Sequence, residues 1–144
     1  MPLRKQQVMY LAIAGVVLAV SIGLGVVYCG IRSSLTAERA LHTNLLVVAV
    51  VREYVVDHNG AWPRCWQDLE PSFSRRRAMF GWPEDGEDVR RYVSVDFEAD
   101  PDKLATQSVE QFVAIQPQGP CYPYKDHPEV ARLLDAIRQS RRAW

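Results

Sequence analysis

The sequence predicts an α+β protein in which an N-terminal transmembrane helix, continuing into or followed by a buried helix, packs on a small antiparallel sheet with a C-terminal amphipathic helix. Three observations carry this. Residues 8 to 31 form an uncharged apolar run, Val93, Val95 and Phe97 alternate with Ser94, Asp96 and Glu98, and Val130, Leu133, Leu134 and Ile137 fall at i, i+3, i+4, i+7. The first pattern is that of a membrane span, the second of a half-buried strand and the third of an amphipathic helix. At 144 residues the chain has room for one small domain beside such a span.

The span from Val8 to Ile31 has 24 residues and no charge. A helix of about 20 residues crosses a bilayer core of roughly 30 Å while satisfying its own backbone hydrogen bonds. A cleaved signal peptide is the alternative, with Arg4 and Lys5 as its charged flank and Gly23-Leu24-Gly25 as the small-residue site. The run is longer than the roughly 7 to 15 apolar residues of a signal peptide, and this favours the anchor. A lipid-modified Cys29 fits less well, because bulky Tyr28 precedes it. Arg4, Lys5 and the terminal amine lie before the span, and Arg32 and Arg39 after it. This bias places residues 1–7 in the cytoplasm as a short N-terminus and residues 32–144 outside as an α+β domain. Gly15, Ala19 and Gly23 repeat every fourth residue and form a small-residue seam, through which a partner helix or a second copy could pack in the lipid bilayer.

Ser33 and Ser34 mark a cap or a slight break, after which a helix is expected from Leu35 to His58. Its middle is apolar nearly all round, which predicts burial. Arg52 and Glu53 end the run Leu45 to Val51 too early for a second span. Asn59-Gly60 supplies a left-handed C-cap and Pro63 prevents resumption. Residues 61 to 88 are rich in Trp, Pro and Gly, with a short helical turn expected near Gln67 to Leu69. Strands are expected at Arg91 to Glu98 and Val109 to Gln116, joined by a long hairpin connection over Ala99 to Ser108. Gly119-Pro120 and Pro123 then turn the chain. Asp126 and Glu129 form a capping box for the last helix, and Arg138, Arg141 and Arg142 suit the negative end of its dipole.

Charge narrows the function classes. The chain has 17 basic and 17 acidic residues, and setting aside Arg4 and Lys5 leaves 15 basic against 17 acidic after the span. No excess of positive charge is available to neutralise phosphates, so a nucleic-acid partner is not expected. No G-x-S-x-G, phosphate-binding loop or H-E-x-x-H occurs, so no catalytic residue, cofactor site or metal site is assigned. His58 and His127 with the cysteines lack metal-ligand spacing. The acids of Asp96 to Asp102 superficially suggest a calcium loop, but Pro101 stands where that loop needs Gly, and Asp96 and Glu98 read as the wet face of a strand. Arg75 to Arg77, and Arg141, Arg142 with Trp144, read as solvated surface, with contact to lipid headgroups or a partner as the alternative. Cys65 and Cys121, in two turn segments, are a candidate disulfide for a domain outside the cytoplasm. Trp62, Trp66 and Trp82 either cover the buried helix or line a ligand pocket within residues 61–83.

The order of an apolar span, a following helix to His58, Asn59-Gly60-Ala61-Trp62-Pro63, the turn Trp66-Gln67-Asp68-Leu69 and then antiparallel strands resembles type IV pilins and the pseudopilins of type II secretion. The resemblance covers about half the chain as a pattern. It implies a membrane-anchored protein that assembles through protein contacts. The family's processing site, a Gly followed by Phe-Thr, and its Glu five residues into the mature helix have no counterpart here, so an uncleaved, divergent relative is implied. The expected function is therefore noncatalytic assembly or protein contact, pilin-like in form. A membrane-anchored ligand-binding or sensory domain is the alternative, and an enzyme or enzyme subunit is the third.

Overall fold

The computed structural model describes residues 2–80 and 86–142. In order, the elements are α1 (Pro2–Asp57), α2 (Trp66–Phe80), α3 (Gly86–Tyr92), β1 (Val93–Val95), α4 (Pro101–Thr106), β2 (Ile115–Pro117) and α5 (Pro128–Arg142). The fold is α+β: a long apolar N-terminal helix, a two-stranded antiparallel sheet and a C-terminal helix. The chain divides into two compact units, Met1–Leu35 and Thr36–Trp144.

Helix α1 runs through Ser33 and Ser34 without a break, so of the two expected forms the continuous one is observed. A serine inside a helix costs only a fraction of a kcal/mol against Ala, about what flanking good helix formers offset. The helix stops where its C-cap directs. Asn59 takes φ 53° and Gly60 φ 85°, and the Gly60 N–H donates to the Val55 carbonyl at 2.8 Å, closing a Schellman turn. A Cβ on Gly60 would stand 2.6 Å from the Ser140 Cβ, so this position demands glycine for its backbone and for the close approach of α5.

The expected turn at Gln67 to Leu69 is instead a fifteen-residue helix, α2, with Pro71 inside it. Pro71 forfeits one hydrogen bond early in the helix. Two ion-pair contacts compensate by tying its basic run to α1: Arg75 Nη2 lies 2.7 Å from Glu53 Oε1, and Arg76 Nε 3.0 Å from Glu53 Oε2. Arg75 also reaches Asp57 at 3.0 Å. Arg75 and Arg76 are thus clasped to α1 and not simply solvated.

The two strands pair antiparallel as expected, with Val93 opposite Pro117, Ser94 opposite Gln116 and Val95 opposite Ile115. They are shorter than the sequence suggests, and the second is shifted. Arg91 and Tyr92 close α3, Asp96 to Glu98 form a turn in which the Glu98 N–H donates to Asp96 Oδ1, and residues 109 to 112 turn back on themselves. Asp96 and Glu98 are therefore turn residues, not the wet face of a strand. The expected hairpin connection contains α4. Asp100 caps it by accepting from the Asp102 N–H at 2.9 Å, and Pro101 occupies the first helical turn, where a missing N–H costs nothing.

Helix α5 buries Val130, Leu133, Leu134 and Ile137 completely, as its spacing predicts. Its cap differs from expectation. The Glu129 N–H donates to His127 Nδ1 at 3.3 Å and Pro128 opens the helix, so His127 and not Asp126 caps it. Glu129 is drawn instead to Arg132 at 2.6 Å and Arg52 at 3.4 Å. Arg138 binds across to the α4 segment, donating to the carbonyls of Ala105 at 3.0 Å and Gln107 at 2.7 Å. It satisfies the open end of α4, a tertiary role in place of the expected dipole role. The core of the second unit joins these α5 residues to Val47, Val51 and Val55 of α1, Leu69 of α2, Val93, Leu104, Phe112 and Ile115.

Candidate functional site

The features of interest follow from how α1 divides its surface. Its early part is apolar and exposed: Leu11, Val16, Leu18, Leu24 and Val26 each retain more than 60% of their accessible surface. Among the described residues one helix, Met9–Asp57, is long and apolar enough to cross a membrane, and its most apolar window has no protein cover. Gly15, Ala19 and Gly23 stand four residues apart on it, hence on one face. A Cβ at Gly15 or Gly23 would meet nothing within 4 Å, so within this chain the seam is open. Ser21 turns its hydroxyl inward to the Val17 carbonyl at 2.9 Å, which keeps its polar group from the surroundings.

In the second unit α1 is enclosed. Ala40, Val47, Val48, Val50, Val51 and Val55 are fully buried, along with Thr43 and Asn44. Thr43 satisfies itself by donating to the Arg39 carbonyl at 2.8 Å. Asn44 has no such outlet, and neither its Nδ2 nor its Oδ1 has a hydrogen-bond partner. Beyond this core a groove of about 620 Å³ runs along α1, floored by Leu45, Leu46 and Ala49 and edged by His42, Arg76, His127 and Glu129. Adjacent residues of α1 hold its sides: Arg52 meets Glu129 of α5, and Glu53 meets Arg76 of α2. Arg52 and Glu53, which end the apolar run in the sequence, are thus the anchoring points of two helices.

The tryptophans serve packing. Trp62 is buried, and its Nε1 donates to the Asp96 carbonyl at 2.8 Å, joining the α1–α2 connection to the end of β1. Trp66 meets Phe97 edge to face at 5.5 Å and Phe73 at 6.3 Å, with the Arg90 guanidinium 5.8 Å from its ring centroid. Neither residue lines the groove. Trp82 and Trp144 lie outside the described residues.

The chain matches no protein-family model, and comparison with curated proteins and with solved structures returns no significant similarity. The arrangement alone is therefore the basis for function, and its helix-then-sheet order is compatible with a pilin-like fold.

Cys65 and Cys121 both carry free thiols in this structure, and both are half-buried. Cys65 opens the turn in which the Asp68 N–H donates to its carbonyl at 3.3 Å, whereas Cys121 packs against the core beside Tyr124, where burial pushes its thiol pKa up. Burial likewise raises the Tyr124 phenol, which donates to the Ile115 carbonyl at 3.1 Å. Asp68 is held below the usual carboxylate range, first by the Arg64 backbone N–H at 2.9 Å. His58 stacks on Tyr54 at 3.9 Å with its Nδ1 2.9 Å from the Tyr54 carbonyl oxygen, and His127 caps α5. Each of these groups has a local structural use.

Asn44 belongs to no sequence motif. Its signal was there to read, since it is an amide immediately before the apolar run Leu45 to Val51, at a position the helical period turns to the same side as Ala40, Val47 and Val51.

Proposed function

We propose that this chain is a single-pass membrane protein whose noncatalytic domain, outside the cytoplasm, takes part in assembly or protein contact in the manner of a divergent, uncleaved pilin-like subunit. The observation that carries the reading is the bare apolar helix. Fourteen large apolar side chains between Met9 and Ile31 stand half or more exposed. At about 1.5 to 3 kcal/mol for each such side chain removed from water, leaving them wet costs tens of kcal/mol, more than a small domain's whole stability. A bilayer removes that cost, and the helix satisfies its own backbone within it. Support for the pilin-like part is the order of elements: a long helix, a glycine cap, a short second helix and antiparallel strands. The Trp-based ligand site is less favoured, because Trp62 and Trp66 are engaged in packing.

The test uses the full chain in cells. Retention in the membrane pellet after alkaline carbonate extraction, with the N-terminus intact, is expected of an anchor. Release as a shortened chain starting near Gly25 would show a cleaved signal instead. Topology is read from Gln139→Cys, at an exposed site on α5, with a membrane-impermeant thiol reagent. Labelling in intact cells, beyond that of the unmodified chain, is expected. Labelling only after lysis would place the domain inside and overturn the assignment. Assembly through the seam predicts that Gly15→Ile with Gly23→Ile lowers cross-linking between copies, since bulk on that face holds helices apart.

A further inference from the structure

We draw no further inference here: the strongest candidate, the groove along α1 floored by Leu45, Leu46 and Ala49 and edged by His42, Arg76, His127 and Glu129, carries nothing because nothing in the structure shows what covers it.

Discussion

Replacing Asn44 by leucine should make this protein more stable. The amide is fully buried, and neither of its polar atoms finds a partner. A buried polar group left unpaired costs about 1 to 3 kcal/mol in lost hydration. Leucine has the same branching with two methyl groups in place of the amide oxygen and nitrogen, so it removes the penalty while keeping the shape. The extra methyl volume returns part of the gain as crowding. The net expected gain is about 1 to 2 kcal/mol, or a rise in Tm of roughly 4 to 10 °C for a domain of this size. The measurement is thermal unfolding of the full chain in detergent micelles, followed by circular dichroism. Asn44→Asp provides the control in the opposite direction, because it buries an unpaired carboxylate and should lower Tm sharply at neutral pH, with recovery as the acid protonates. A fall in Tm for Asn44→Leu comparable to that of an ordinary lost hydrogen bond would refute the reasoning, since it would mean that the amide is satisfied in the native state.

Gly60→Ala should cost about 2 kcal/mol or more, from positive φ and from contact with Ser140. Adding Ser140→Gly should recover the contact part alone, so full rescue in chemical denaturation would disprove the backbone contribution. Trp62→Phe keeps most of the apolar bulk but leaves the Asp96 carbonyl without its indole donor, and a loss of about 1 kcal/mol is expected from Tm. An unchanged Tm would mean that this hydrogen bond adds nothing. Asp68 has a folded-state pKa below its unfolded value, so its contribution is present above about pH 4 and is lost as pH falls through the folded value. Asp68→Asn should therefore flatten the acid limb of a Tm-against-pH curve, by a small amount because the group stays partly exposed, and a limb as steep as the parent's would remove Asp68 from its causes.

Elements with a repeating period and the Asn59-Gly60 stop of α1 were legible in the sequence, and features that depend on tertiary partners were not. Helix α5 and the antiparallel pairing of Val93 and Val95 could be read because burial imposes periods of 3.6 and 2. The extent of α2 could not, because Pro71 reads as a breaker and its compensation comes from Glu53 and Asp57, far away in sequence. Helix α4 has a sequence signal, since Asp100-Pro101 is a cap followed by a first-turn proline, but the alternating acids around it carry a strand-like period that masks it. The choice of cap for α5 was not legible. A capping box at Asp126 and Glu129 is locally sound, but Glu129 has Arg52 of α1 within reach, and that tertiary pair exists only once the fold has formed. Of the site features, the Gly15, Ala19 and Gly23 seam follows from helical spacing alone, whereas the fate of Cys65 and Cys121 depends on separation in space, which sequence spacing does not encode.

Two stretches of α1, Val8 to Ile31 and Leu45 to Val51, are apolar nearly all round, and of the two the second is covered by protein. A helix apolar all round needs a nonpolar surrounding on all sides, and two media supply it, lipid and the packed interior of a domain. Polar residues decide which. The later part carries Thr43, Asn44, Arg52 and Glu53. Thr43 is satisfied on its own helix, Asn44 is left without a partner, and the two ions are met by Glu129 and by Arg75 and Arg76, which belong to neighbouring protein elements. From Val8 to Ile31 there is no charge to be met, and Ser21 closes its own hydrogen bond within the helix. Apart from the hydroxyls of Tyr10 and Tyr28 near its two ends, that stretch presents apolar side chains, which favour exclusion from water. That asymmetry is the physical argument behind the proposal of a bilayer around the first part of the helix, while the second part lies in the folded domain.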